Sequence, residues 1–255
     1  MDKTFVKGLT LLEALARSPR ERGVSDLARE LGLAKSNIHR LLSTLQALGY
    51  VQQLANTGYE PTSKLWELGA LVRSRLDVTK VSHGPMASLQ VATGESVHLS
   101  IMDGYEVVYV DKLEGTHPIK AYTTIGGRAP VWCVATGKAI LASAEDVVVE
   151  GIASRLVRHT ERTICDRDTL LAELKAIRRN GYAVNQGEWR DGVAGIAAPI
   201  RDAAGLVVAA VGISGPATRF RQKDIRSGAT KVMEAAAAIS AALGYRVSAP
   251  LAAKA

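Results

Sequence analysis

Val24-Ser25-Asp26-Leu27-Ala28-Arg29-Glu30-Leu31-Gly32-Leu33-Ala34-Lys35-Ser36-Asn37-Ile38-His39-Arg40-Leu41-Leu42-Ser43-Thr44-Leu45 is the stretch that decides how the N-terminal part folds. Leu27, Ala28 and Leu31 share one face of a short helix that Ser25 can cap and Gly32 ends. A further helix begins at Ala34 or Lys35 and runs to Leu48, with Gly49 behind it. Ile38, Leu41, Leu42, Leu45 and Leu48 give it one apolar stripe, and Lys35, Ser36, His39, Arg40 and Ser43 fill the opposite face. Upstream, Val6, Leu9, Leu12, Leu15 and Ala16 recur at helical spacing, and Pro19 follows as a stop. Downstream, the β-like runs Tyr50–Leu54 and Tyr59–Thr62 flank the turn signal Asn56-Thr57-Gly58. Three helices and then a hairpin predict a winged helix-turn-helix over residues 1–62.

Beyond it the pattern changes. Leu65, Leu68, Leu71, Val72 and Leu76 predict a connecting helix over residues 63–80, and residues 81–250 then mix strands with helices. Glu95–Met102 and Glu106–Leu113 read as a hairpin about Asp103-Gly104, and Ile119–Thr123 as another strand. Helices are expected at Ala135–Ser143, Ala144–Leu156, Arg167–Asn180 and Arg221–Gly244. Strands are expected at Tyr182–Asn185, Gly192–Arg201 and Gly205–Ser214. The short Asp202-Ala203-Ala204 connection between the last two makes the sheet mainly antiparallel rather than a βαβ repeat. The expected fold class is therefore α+β.

Composition narrows the class. The chain has 255 residues, of which 47% are apolar and 22% charged, enough to bury a core, while aromatics at 5% leave that core to Ala, Val, Leu and Ile. The long low-charge stretches Gly205–Gly215 and Met233–Gly244 are too short to span a bilayer, and the N-terminus lacks a secretory apolar run. Two cysteines, Cys133 and Cys165, suit a reducing cytoplasm. We expect a soluble cytoplasmic protein with no membrane association.

The net charge is +7, and the sign asymmetry is local: no acidic side chain lies between Glu30 and Glu60, where Lys35, His39 and Arg40 fall. A surface cleared of carboxylates suits a polyanion, because each carboxylate facing a phosphate would repel it. In a helix-turn-helix this third helix enters the major groove with its N-terminal residues nearest the base edges. Arg40 is the candidate for reading guanine, since its planar fork matches O6 and N7 together. Lys35, Ser36, Asn37, His39 and Ser43 are candidates for phosphates or neighbouring bases, and Gln52, Gln53, Asn56 and Thr57 for contacts from the wing. For each, a solvated polar face is the plainer alternative.

Catalytic signatures are missing. Thr136-Gly137-Lys138-Ala139 has the Gly-Lys pair of a phosphate-binding loop, but Trp132 stands where its first glycine belongs. Gly212-Ile213-Ser214-Gly215 lacks the second spacer of a nucleophile elbow. His39, His83, His98, His117 and His159 form no metal spacing, so no metal or cofactor is expected.

At this point the chain resembles the IclR family of transcriptional regulators. The N-terminal match is the quoted stretch with Gly49-Tyr50. The C-terminal match comprises Gly126-Gly127-Arg128-Ala129-Pro130, Ala135-Thr136-Gly137-Lys138-Ala139, Gly181-Tyr182-Ala183, Gly192-Val193, Ile196-Ala197-Ala198-Pro199-Ile200, and Val211-Gly212-Ile213-Ser214-Gly215-Pro216 with Arg219. The resemblance implies a winged-helix DNA-binding domain joined by a helix to a GAF-like α/β domain that binds a small effector. It implies homodimers or dimers of dimers on palindromic operators, with RNA polymerase as a further partner. It places the effector pocket at Ala129, Ala135, Thr136, Asn185, Val193, Gly195, Gly212 and Ser214.

Several of those positions are Gly or Ala, which leaves room for an acid with an apolar body. The N–H groups opening the helix at Ala135 suit its carboxylate. Val131-Trp132-Cys133-Val134 replaces a more usual Leu-His-Ala-Thr, and Asn185 stands where aspartate is frequent. Trp132 can pack under the pocket, wall it, or belong to the core. The expected function is DNA binding modulated by a small organic acid, without catalysis. Two alternatives stand beside it: a hydrolase using Ser214 or Cys133 with an appended DNA-binding domain, and a ligand-free architectural protein.

Overall fold

The computed structural model describes residues 2–73, 78–120 and 123–246. The chain divides into two compact units, Met1–Leu76 and Asp77–Ala255.

In the first unit, α1 (Lys3–Ala16), α2 (Val24–Leu31) and α3 (Lys35–Ala47) precede the two-stranded β1 (Val51–Gln53) and β2 (Tyr59–Pro61), followed by α4 (Ser63–Arg73). Leu11, Leu15, Leu27, Ala28, Ile38, Leu41, Leu42, Val51 and Tyr59 form its core. Each large aliphatic among them contributes about 1.5–3 kcal/mol by leaving water. Gly32 turns α2 into α3 through a left-handed φ of 64°, which a β-carbon would strain.

Three local expectations need correction. Gly23, not Ser25, precedes α2, so Ser25 lies inside the first turn and caps nothing. Leu48 is 54% exposed, because α3 ends at Ala47 and the stripe stops with it. On α1 the buried pair is Leu11 and Leu15, and Leu12 packs against them partly buried; Val6, Leu9 and Ala16 are exposed, since the face meeting α3 runs through Gly8 and Leu11.

In the second unit, α5 (Val78–Thr93) leads into β3 (Ser96–Asp103), β4 (Glu106–Leu113), β5 (Arg128–Pro130), α6 (Ala135–Leu141), α7 (Asp146–Ala153), α8 (Arg167–Asn180), β6 (Ala183–Gln186), β7 (Val193–Arg201), β8 (Val207–Pro216) and α9 (Gln222–Ala242). The sheet order β5-β4-β3-β8-β7-β6 is antiparallel at every joint. Period-two alternation sends Val97, Leu99, Val211 and Ile213 to the core shared with α5 and α9. Tyr109, Ala197 and Ala210 go to the opposite core, shared with α6, α7 and α8.

The strand expected at Ile119–Thr123 is not formed by the residues described there, and Ala121 and Tyr122 lie outside them. Gly115, Thr116 and Ile119 are instead tied individually to Ser96 Oγ, Gly94 O and Arg219. The connecting helix expected over residues 63–80 is described as α4 and the start of α5; residues 74–77 between them, with Leu76, lie outside the described residues, as do residues 247–250 of the expected second domain.

Candidate functional site

The first candidate surface is the outer face of α3. Burying Ile38, Leu41 and Leu42 turns Lys35, Ser36, His39, Arg40 and Ser43 outward, all exposed, with Asn37 half-buried. Lys35, His39 and Arg40 meet no carboxylate among the described residues, so their charge and hydrogen-bonding capacity face solvent. Ser43 spends its hydroxyl proton on the His39 carbonyl at 2.9 Å.

The wing residues are differently employed. Gln52 Nε2 donates to Glu60 Oε1 across the hairpin at 2.7 Å. Asn56 donates to Glu21 Oε1 at 3.0 Å and accepts from the Gly58 N–H at 3.1 Å, which folds the turn; Thr57 beside it has φ 66°. Asn56 therefore holds the wing in shape with both ends of its amide.

The second candidate is a cavity of about 150 Å³ over the α6 face of the large sheet. Register builds its floor: Asn185 pairs with Gly195, Gly195 with Ser214, and His98 with Gly212. Glycines keep that floor low, since a β-carbon on Gly195 would meet the Ile213 carbonyl at 2.9 Å. Val134, Ala135 and Thr136 supply the facing wall from the start of α6. Of the eight residues expected here, Ala135, Thr136, Asn185, Val193, Gly195, Gly212 and Ser214 line this one space. Ala129, on β5, is buried in the adjoining core and does not line it.

Among the lining residues not expected from the sequence are His98, Tyr109, Trp189 and Arg190. His98 Nε2 lies 2.6 Å from Ser214 Oγ, and its Nδ1 lies 3.1 Å from Thr123 Oγ1. Burial, followed by the charge of Lys112, lowers the His98 pKa to about 3, so its imidazole is neutral. A neutral imidazole donates from one nitrogen and accepts at the other, so it links the two hydroxyls in one polarised chain. The same geometry would suit acyl transfer, but a base with so little proton affinity activates a serine poorly.

Tyr109 meets the His98 ring edge-on at 5.5 Å, and burial pushes its phenol up to about 12. Alternation in Ser96–Met102 was the available signal: it sets His98 and Ser100 opposite Val97 and Leu99.

Behind the wall, Asn185 Nδ2 donates to the Cys133 carbonyl at 3.3 Å, and Ser100 Oγ to Thr136 Oγ1 at 3.1 Å. Cys133 is buried, and burial raises its thiol to about 12, which keeps it protonated and inert. Trp132 is a core residue rather than a wall of the cavity; it faces His159, which in turn meets Trp189 edge-on at 4.5 Å. Lys138 is 1% exposed and holds Glu173 at 2.9 Å and Glu188 at 2.8 Å. It serves as an internal tie between α6, α8 and the segment before β7. Among the described residues no group of His, Cys, Asp and Glu could hold a metal ion, and no helix is long and apolar enough to cross a membrane.

Comparison with known proteins agrees with this architecture. Residues 4–55 match the IclR helix-turn-helix domain, and residues 70–241 match the C-terminal domain of the bacterial transcriptional regulator IclR. The HTH-type transcriptional regulator KdgR of Escherichia coli is 34% identical over 95% of this chain and 93% of its own. KipR of Bacillus subtilis, also an HTH-type transcriptional regulator, is 33% identical over 96% and 98%. The crystal structure of a Silicibacter sp. TM1040 chain assigned as an IclR transcriptional regulator superposes with a TM-score of 0.81, at 26% identity, over 96% of this chain and 97% of that one. With both of its domains matched and its relatives aligned almost end to end, the chain belongs to the IclR family of transcriptional regulators.

Proposed function

We propose that this regulator binds a palindromic operator through α3 as a homodimer or dimer of dimers, and that a small organic acid with an apolar body shifts that binding from the sheet cavity. The observation that carries the acid is the lining: apolar surface from Val134, Val193 and Ile196, hydroxyls from Thr123, Thr136 and Ser214, the guanidinium groups of Arg128 and Arg190, and no carboxylate among the described residues. About 150 Å³ is the size of cavity that accepts a benzene-sized body. Effector and DNA are then coupled by linkage: the acid favours one arrangement of the chain, and its effect on operator affinity cannot exceed its differential affinity for the two arrangements. RNA polymerase is the further partner through which a bound operator affects transcription.

Gel-shift titration against the upstream intergenic DNA, across salt and with aliphatic and aromatic acids, tests the proposal. Specific retention altered by one acid class supports it; retention that is blind to sequence and to every acid overturns it.

The hydrolase alternative gains one observation, the 2.6 Å approach of His98 to Ser214. The low basicity of that imidazole favours holding a ligand over turning one over. Ester hydrolysis lost on Ser214→Ala would reverse that preference.

A further inference from the structure

Arg190 is, among the described residues, a cation without a carboxylate partner. It lines the cavity. The other arginine in the lining, Arg128, is already committed to Asp103 at 2.6 Å and Glu106 at 2.7 Å.

The backbone carrying Arg190 is fixed on both sides. Thr160 Oγ1 donates to the Gly187 carbonyl at 2.7 Å, and Thr163 Oγ1 to the Glu188 carbonyl at 2.7 Å. The Glu188 carboxylate rests on buried Lys138, and the Arg190 carbonyl accepts from the Val193 N–H at 3.2 Å. An arginine presented from so constrained a segment gives up little backbone freedom when it binds.

A second observation aims it. Tyr109 lies in the same cavity, and its phenol makes no hydrogen bond among the described residues. The positive charge of Arg190 acts on that phenol and lowers its pKa against the larger effect of burial. Guanidinium and phenol thus face one space from β4 and from the segment before β7, both with donors to spare. In the same cavity Ser214, His98 and Thr123 form an uncharged chain that offers hydroxyl chemistry and no net charge.

We propose that Arg190, with Tyr109, is the specificity-determining pair that selects a monocarboxylate, gripping its carboxylate in the cavity. The ligand class is an acid charged at that end alone, with an apolar body and an uncharged hydroxyl or carbonyl toward Ser214. The inference rests on the effector-cavity reading above and adds which groups choose the charge. Charge-assisted hydrogen bonds to a guanidinium are roughly twice as strong as neutral ones, so a carboxylate gains over its ester.

The experiment titrates the full-length protein by calorimetry with benzoate, phenylacetate and 4-hydroxyphenylacetate, each beside its methyl ester. Wild type is expected to prefer an acid to its ester by about tenfold or more, the range of a single charge-assisted contact. Arg190→Gln should bring that ratio to about one and Arg190→Lys should keep part of it, with an unchanged melting temperature certifying the fold of each variant. An unchanged ratio in Arg190→Gln overturns the assignment while leaving the cavity's function intact. Failure of wild type to bind any of the acids overturns the effector reading itself, and this inference with it.

Discussion

The imidazole of His98 on β3 reaches the hydroxyl of Ser214 on β8 at 2.6 Å, across two strands whose register pairs His98 with Gly212. Ser214 lies two residues beyond Gly212 on the same face of β8, so the contact runs along the diagonal that strand register sets. The His98 pKa falls on folding, from 6.5 to about 3, so as pH drops the unfolded chain takes up this proton first. His98 therefore withdraws stability as pH falls between those two values, by about 1.4 kcal/mol for each pH unit. Denaturant midpoints at pH 7, 5.5 and 4.5 should show wild type losing more stability than His98→Gln across that span. Parallel pH profiles would remove the assignment.

Arg40→Ala should weaken specific operator binding by about 1–3 kcal/mol, roughly five- to 150-fold, if Arg40 reads a guanine. Because Arg40 is exposed and unpaired with any carboxylate among the described residues, the melting temperature should barely move. Competition gel shifts with specific and scrambled DNA separate the two effects: loss on both duplexes alike would demote Arg40 to a phosphate contact.

Lys138→Met removes the cation from between Glu173 and Glu188. Glu188 is left in the interior without its partner, where burial already raises its pKa. Breaking a buried pair in this way costs about 3–5 kcal/mol, while replacing both partners with apolar groups is far milder. Urea unfolding should therefore rank Lys138→Met below the double variant Lys138→Met, Glu188→Leu. The reverse order would mean that the tie contributes through something other than its charges.

Gly137→Ala should be among the most damaging substitutions in α6. Its β-carbon would sit 2.2 Å from the Val131 carbonyl oxygen, a backbone atom that cannot swing aside. Overpacking in a well-filled core costs about 1–3 kcal/mol or more, and the strain here falls on the wall of the cavity. Soluble yield and thermal unfolding of the purified variant provide the check; wild-type stability would mean that α6 can shift away from Val131.

The winged helix was legible because each of its elements carries a local signal. The α3 stripe, Gly32 and the Asn56-Thr57-Gly58 turn all act within a few residues. Two elements of the second unit were not. The helix Val78–Thr93 contains Gly84 and Pro85, which read as breakers, and tertiary packing of Met86 and Leu89 against α9 overrides them. The strand Arg128–Pro130 has only three residues, and pairing with Val107 and Val108 makes it a strand.

The cavity divides the same way. Ala135, Gly195, Gly212 and Ser214 came from family resemblance. His98 and Tyr109 on the β3–β4 hairpin lie far in sequence from Trp189 and Arg190 before β7, and the two pairs meet only through strand order, which no local pattern encodes. Asn56 holds a role that no local pattern signals: its amide is bonded within the protein at both ends and shapes the wing.

Linkage between the cavity and the operator can be measured from both sides. Calorimetry would give the affinity of the tightest-binding acid of the benzoate, phenylacetate and 4-hydroxyphenylacetate series for the free protein and for the protein saturated with operator DNA. Fluorescence anisotropy would give operator affinity with and without the same acid. The two ratios should be equal and differ from one, as thermodynamic reciprocity requires of coupled sites. An acid that binds equally well with and without DNA, and leaves operator affinity unchanged, would contradict linkage.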